Sequence, residues 1–272
     1  MGKMLLQKRG LSLPGILILT CIALIVFLLS SLAAAGVITV GPTGDYNTIQ
    51  KAIDAAVSGD VVFVTPGTYK ENINIRGKDI VVRSFNPVSP GVVTNTVIDG
   101  DNKDSAVIFA GTETSACVLT GFTIKNGEAS FGGGIRGNTT SATIMYNIIT
   151  DNTAYLGGGI YSCNGLIKNN VIKNNNAHSE SVQDSRGAGI FNCNGTIQNN
   201  LIFNNEAQHM GGGLYQCGGR IENNTIYKNT AGSFGGGVGN CEGTIENCII
   251  WGNIATTNPQ IYPRQTGSYC CV

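Results

Sequence analysis

The second half of the sequence repeats at a nearly constant interval, and this period restricts the fold more than any other feature. The repeat is marked by triple glycines, GGG or GAG, that begin at Gly132, Gly157, Gly187, Gly211 and Gly235. Three other residue types recur at the same intervals: Cys163, Cys193, Cys217 and Cys241; Ile167, Ile197, Ile221 and Ile245; Asn169, Asn199, Asn223 and Asn247. A second asparagine series runs through Asn152, Asn175, Asn205, Asn229 and Asn253. Most of the intervals are 24 residues, and periods of roughly 20–50 residues indicate stacked structural units.

The segments inside each unit favour strands over helices. GGLY, RIEN and TIYKN are short and β-leaning, they are separated by glycine and asparagine turns, and no segment has helical spacing. Three such pieces per 24 residues describe one coil of a right-handed parallel β-helix. We therefore predict an all-β solenoid in which equivalent residues lie above one another, about 4.8 Å apart.

The repeated asparagines, glycines and cysteines are interpreted mainly as scaffold. An inward asparagine bonds its amide to the amide of the next coil, which satisfies buried polar groups as a ladder. Asparagine also tolerates the left-handed conformation of tight turns, and glycine turns the backbone without a clashing Cβ. Adjacent coils bring the cysteines within disulfide range. Small buried thiols need no partner, however, so we expect free thiols.

Residues 1–35 have the features of an export segment. Three basic residues near the start precede an uncharged run from Gly10 to Gly36 that ends in small residues, as in a secretory signal peptide. The apolar part approaches the length of about 20 residues that spans a bilayer, so retention as a signal anchor is the alternative. In both cases the rest of the chain is exported, and membrane contact is expected only through this segment.

The rest of the chain, residues 36–272, is predicted to form the β-helix domain, with regular repeats over 122–272. The segment YNTIQKAIDAAVSGD has one apolar helical face, which predicts a cap helix at 46–57 that covers the open end of the first coil. Thr48 is expected to cap the N-terminus of this helix. Equal counts of 17 basic and 17 acidic residues argue against nucleic acid as a partner.

Two regions of the chain resemble a known group of proteins. TIQKAIDAAVSGDVVFVTPGTYKENINI, followed by VIDG and GFTIKNG, resembles the opening of bacterial right-handed β-helix proteins of the pectate-lyase-like superfamily. The later GGGI and IxxNxA units, as in IYKNTAGSFGGGV, are similar to repeats of polymorphic outer-membrane proteins. The resemblance implies the β-helix fold and a polysaccharide ligand. The superfamily includes lyases, hydrolases, esterases, epimerases and non-enzymatic adhesins, and its acidic active-site clusters cannot be matched residue by residue here, so no activity is selected.

The first candidate site is a pair of glutamates, Glu222 and Glu246, in equivalent IEN segments. Alternation along the strand places both carboxylates outside, about 5 Å apart on adjacent coils. Like charges at that distance repel each other, which raises the pKa of at least one carboxyl or attracts a cation. The sequence establishes no cofactor, and Ca²⁺ is the candidate. The spacing also suits a retaining glycosidase, although solvated glutamates on a solenoid surface are common.

The second candidate site consists of two aromatic series. One contains Phe203, Tyr227 and Trp251, and the other contains Tyr161, Phe191 and Tyr215. Each series is expected to stack in one column, where the rings offer a platform for the apolar faces of sugars or stabilise the sheet by cross-strand pairing.

The third candidate site surrounds the one long unit, which carries about six extra residues in AHSESVQDSR. Insertions in solenoids form loops on one face, often the binding face. The insertion contains His178, Glu180, Asp184 and Arg186, and His209 is predicted near the same edge one coil away. Two histidines with acidic neighbours can bind a metal or move protons, whereas isolated loop histidines are usually only solvated.

These features together predict an exported β-helix that binds, and in one version cleaves, an extended polysaccharide along one outer face. The rival hypothesis is a surface adhesin or structural envelope protein without catalysis. No complete catalytic set is visible in the sequence, and its sparse acidic residues favour the rival.

Overall fold

The computed structural model describes residues 35–180, 185–263, 268 and 270–272. In these residues the predicted fold class is confirmed, because the chain forms an all-β parallel β-helix of nine coils. The signal or anchor segment falls almost entirely outside the described residues and stays a prediction. Among the described residues, no helix is both long and apolar enough to cross a bilayer.

Nearly every coil contributes one strand to each of two parallel sheets, sheet A and sheet B. Sheet A contains β1 (Val37–Val40), β2 (Val61–Val64), β5 (Val81–Ser84), β8 (Val118–Thr120), β12 (Thr143–Met145), β16 (Leu166–Lys168), β20 (Thr196–Gln198), β24 (Ile221–Glu222) and β28 (Ile245–Glu246). Sheet B contains β3 (Gly67–Lys70), β6 (Thr96–Asp99), β9 (Thr123–Lys125), β13 (Ile148–Thr150), β17 (Val171–Lys173), β21 (Leu201–Phe203), β25 (Thr225–Tyr227) and β29 (Ile249–Trp251).

Two further parallel sheets, sheet C and sheet D, complete the coil, whereas the sequence predicted only three strands per unit. Sheet C contains β4 (Ile73–Asn74), β7 (Val107–Ile108), β11 (Ile135–Thr140), β15 (Ile160–Cys163), β19 (Ile190–Phe191), β23 (Leu214–Tyr215), β27 (Val238–Gly239) and β30 (Ile261–Tyr262). Sheet D contains β10 (Glu128–Phe131), β14 (Thr153–Leu156), β18 (Asn176–Ala177), β22 (Glu206–Ala207) and β26 (Thr230–Ala231). Sheet D has only five strands because the coils before β10 have no strand at the equivalent position.

The core is built from columns of aliphatic side chains that follow the sequence period. On sheet A the buried column contains Ile144, Ile167, Ile197, Ile221 and Ile245. On sheet B it contains Ile149, Ile172, Ile202, Ile226 and Ile250. Strict register therefore removes the same apolar side chain from water in each coil, which provides the main driving force for stacking.

Two buried asparagine ladders run along the axis. One contains the predicted series Asn152, Asn175, Asn205, Asn229 and Asn253, in which each Nδ2 donates to the Oδ1 of the next coil at 2.9–3.0 Å. It ends at Gln260, whose Oε1 accepts from Asn253 at 2.8 Å. The other contains Asn147, Asn170, Asn200 and Asn224. The periodic neighbours of this second ladder, such as Asn169 and Asn199, instead adopt left-handed turns with φ near 55°.

Helix α1 (Ile49–Ala55) lies inside the predicted cap segment and buries Ile49, Ala52 and Ile53. The expected cap was wrong in detail, because the Thr48 side chain makes no capping hydrogen bond. The Glu71 carboxylate accepts from the Ile49 and Gln50 backbone N–H groups at 2.8 and 2.9 Å instead. A negative charge at this helix end is also favourable for the helix dipole. A second helix, α2 (Pro90–Asn95), joins sheet A to sheet B.

The cysteine column points into the core. Cys163, Cys193 and Cys217 are buried free thiols, as expected from the sequence, and Cys241 is buried in the same column. Burial raises the pKa of the Cys193 and Cys241 thiols well above the ordinary value, since a thiolate loses its hydration there. These thiols therefore act as small core side chains rather than nucleophiles.

Candidate functional site

The two glutamates of the first candidate site lie side by side on sheet A, but they are not a free pair. Glu222 and Glu246 are in register on adjacent strands. Arg220 lies between them, with Nε 2.9 Å from Glu222 Oε2 and Nη2 3.1 Å from Glu246 Oε2. The guanidinium therefore supplies the counter-charge that the sequence analysis assigned to a cation, and the geometry is that of a surface ion-pair network.

Replacing Arg220 with alanine is expected to lower the free energy of unfolding by less than about 1 kcal/mol, because the ion pairs are partly exposed. The loss should shrink as salt is added, since salt screens exposed charges. Urea unfolding at two ionic strengths measures both effects. Lys168→Ala is the control, because Lys168 has no ion pair among the described residues. A large loss of stability that does not depend on salt would contradict this interpretation.

The aromatic series on sheet B forms the predicted outward column. Phe203, Tyr227 and Trp251 are in register. The Phe203 and Tyr227 rings stack with centroids 5.0 Å apart and planes 16° from parallel. Stacked rings cover each other's faces, so this part of the column presents ring edges to solvent rather than a platform for sugar. Trp251, which is 67% exposed, is the member with the most accessible surface, and its role in binding stays a prediction.

The aromatic series on sheet C also stacks, but it is largely covered. Tyr161, Phe191 and Tyr215 have successive centroids 5.6 and 5.7 Å apart. Phe191 and Tyr215 are only 5% and 6% exposed, because the glycine turns pack against them; a Cβ at Gly187 would lie 2.8 Å from the Phe191 Cβ. These two rings therefore stabilise the sheet and are not available to a ligand, contrary to the sequence prediction.

The two histidines are not brought into a common metal site. In register, Ala177 pairs with Ala207, so His178 faces Gln208 rather than His209. Asp184, the other acidic residue proposed there, lies outside the described residues. In the part of the chain that the structure describes, no group of three or more metal-binding side chains is assembled.

The structure instead places His178 in a groove on the outer face of sheet D. Two adjoining cavities, of about 500 and 320 Å³, share Tyr155 and Ser179. The larger is also lined by Glu128, His178 and Glu180, and the smaller by Phe131, Leu156 and Arg186. Because Ser179, Glu180 and Arg186 belong to the long unit, the insertion borders the groove as the solenoid rule predicts. We call this region the sheet D groove.

Exposed aromatic rings distinguish the sheet D groove from the rest of the surface. Tyr155 and Phe131 are 47% and 42% exposed, and no other large hydrophobic residue is exposed in the described positions between 89 and 248. The other exposed large apolar residues lie toward the two ends of the solenoid, at or before Val88 and at or after Ile249. A concave surface with aromatic and polar side chains has the character of a ligand site.

Three residues of the groove, Phe131, Tyr155 and Glu128, were missed by the sequence analysis. They lie on sheet D. Its strands are short and their inward side chains are alanines, so the sequence shows no clear alternation of large apolar and polar residues there. Tyr155 and His178 each follow an inward alanine, Ala154 and Ala177, which pair with each other. That repeated alanine was the available signal.

No protein-family model matches the sequence, and no curated protein matches it. The fold is similar to the pectin methylesterase from Aspergillus niger in penultimately deglycosylated form, with 17% identity, 88% of this chain and 91% of that chain covered, and a TM-score of 0.48. It is also similar to the deglycosylated form of that enzyme, with 18% identity, coverage of 88% and 83%, and a TM-score of 0.47. At these values nothing about the activity of this chain is inferred from the likeness.

Proposed function

We propose that this protein is exported and binds an extended glycan in the sheet D groove. The observation that carries the proposal is the pair of exposed rings, Tyr155 and Phe131, in one groove bordered by the insertion. The cavity volumes fall in the range of about 300–1,000 Å³ that is common for ligand sites. Tyr155 has no ring contact among the described residues, so its ring suits the apolar face of a sugar, whereas Phe131 packs against Tyr161 with ring centroids 5.2 Å apart. Export rests on residues 1–35 alone.

The candidate catalytic residues favour a protein that binds the glycan without cleaving it. The Glu222–Glu246 pair is occupied by Arg220, and His178 and His209 do not face each other. An adhesin or envelope protein that holds a glycan is therefore preferred to a lyase or hydrolase. Assays for reducing ends and for unsaturated products on the bound glycans separate the two, since only an enzyme produces either signal.

Replacing Tyr155 with alanine is expected to weaken glycan binding about tenfold, because an aromatic contact contributes on the order of 1 kcal/mol beyond its buried area. Affinity is measured by calorimetry on full-length protein with hexasaccharides of neutral, amino and uronic sugars. Tyr227→Ala is the matched control, since it removes the same ring from the sheet B column.

The single tryptophan offers a second readout for this experiment. Trp251 lies four coils from the Tyr155 coil, as the register Thr150–Lys173–Phe203–Tyr227–Trp251 shows. Binding in the sheet D groove should therefore leave tryptophan emission unchanged. An emission change together with a loss of affinity in Tyr227→Ala would move the site to sheet B. Failure of every hexasaccharide to bind would reject the proposed function.

A further inference from the structure

The carboxylates of the sheet D groove are not neutralised. Glu128 and Glu180 are exposed and line the larger cavity. Neither forms an ion pair among the described residues, in contrast to Glu222 and Glu246, which share Arg220. The groove therefore presents two free negative charges beside Tyr155.

Among the described residues, the two arginines near the groove form no ion pair with these carboxylates. Arg186 lines the smaller cavity, but its guanidinium lies 6.0 Å from the centre of the Tyr215 ring, over the covered aromatic column. Arg136 is 3.8 Å from Asp104. No lysine lines either cavity.

Two further acidic residues lie near the groove and add to its negative potential. Along the outward column of sheet D, Glu128, Thr153, Asn176 and Glu206 are in register, so Glu206 continues the acidic surface one coil beyond Asn176. Asp151 is exposed in the turn before sheet D.

The two carboxylates are offset both along the axis and around the coil, because Glu128 is in register with Asn176, four residues before Glu180. Glu128 and Glu180 belong to coils two steps apart, which corresponds to about 10 Å. Tyr155 belongs to the coil between them. An extended chain that crosses sheet D on this diagonal would therefore meet a carboxylate, an aromatic ring and a second carboxylate in succession.

We propose that the ligand of the sheet D groove is a glycan of amino sugars with free ammonium groups. This inference rests on the proposed glycan-binding function and names its ligand class. Ammonium groups pair with Glu128 and Glu180 and also interact favourably with the faces of aromatic rings. A polyuronate would instead bring its carboxylates against two uncompensated negative charges, which is unfavourable.

The test compares three hexasaccharides on the full-length protein by calorimetry: β-1,4-linked glucosamine with protonated amines, its N-acetylated form, and galacturonate. We expect the glucosamine hexamer to bind at least about tenfold more tightly than the galacturonate hexamer at low salt, with a smaller ratio at high salt because the charges are exposed. The double change Glu128→Gln and Glu180→Gln should weaken binding of the glucosamine hexamer about three- to tenfold. Binding of the N-acetylated hexamer should stay within about twofold, since it carries no charge.

Glu242→Gln is the control for the change in net charge, because Glu242 is exposed in the turn between sheets C and A. Circular dichroism checks that each variant is folded. Equal or tighter binding of galacturonate, or an unchanged glucosamine affinity in the double variant, overturns the inference while the proposed function stands. If no hexamer binds, the proposed function itself fails, and the inference fails with it.

Discussion

Replacing Asn205 with alanine is expected to lower the free energy of unfolding by about 4 kcal/mol. Asn205 is fully buried, and its Nδ2 donates to Asn229 Oδ1 at 2.9 Å and to the Ile172 carbonyl at 3.0 Å. Its Oδ1 accepts from the backbone N–H and from Nδ2 of Asn175 at 3.1 and 2.9 Å. Alanine removes all four bonds and leaves buried groups such as the Asn175 backbone N–H without their partner, and each such group costs roughly 1–3 kcal/mol.

The adjacent Asn204 provides the control for this substitution. It is exposed and has a φ of 53°, a conformation that glycine adopts without strain, so Asn204→Gly should change the free energy of unfolding by less than about 1 kcal/mol. Urea unfolding followed by circular dichroism compares the two variants. Equal losses in both would show that the ladder contributes nothing beyond ordinary turn structure.

Replacing Gly195 with alanine is expected to cost about 3–5 kcal/mol or to prevent soluble expression, because overpacking against rigid backbone is among the most damaging substitutions. A Cβ at this position would overlap the carbonyl oxygens of Gly165 and Asn164 in the preceding coil. Neither oxygen can move without changing the spacing of the coils. Glycine is required at position 195 because of this contact between backbones and not because of its backbone conformation, since Gly195 does not have a positive φ.

Gly91 in α2 is the matched control for Gly195, since a Cβ there meets nothing within 4 Å. Gly91→Ala should leave stability unchanged or raise it by about 0.5–1 kcal/mol, because alanine favours the helix. Thermal unfolding and soluble yield are the measurements. A Gly195→Ala protein as stable as the Gly91→Ala protein would mean that the coils adjust their spacing easily.

The stacking of the coils could be predicted from the sequence because several residue types recur at the same intervals. Once Ile197, Ile221 and Ile245 share one spacing, each must occupy the same place in successive coils, and the structure confirms this register. The ladder of Asn205 and Asn229 could be predicted for the same reason. A period says which residues align, but it does not say which direction each side chain points or what covers it.

The remaining errors came from contacts between different parts of a coil. Arg220 is the residue that neutralises Glu222 and Glu246, and it is not repeated in the preceding unit, so the period gave no sign of it. Tyr215 was a candidate for sugar binding, but Gly211 in the turn before it and Gly239 in the next coil lie against its ring. Glu71 caps α1 from another coil, and such a contact has no local sequence signal.

The amide–amide hydrogen bonds of the asparagine ladder all run in the same direction along the axis of the β-helix. In every rung one side-chain N–H donates to the amide oxygen of the following coil, and the side-chain carbonyl accepts from the preceding coil. The second N–H donates to a backbone carbonyl. The carboxamide dipoles therefore add along the axis instead of cancelling. At Gln260 the series turns back, because its Nε2 donates to the backbone carbonyl of Asn253 at 3.2 Å. The ladder therefore gives the β-helix domain a side-chain dipole along its axis, and two such domains laid side by side would favour opposite orientations.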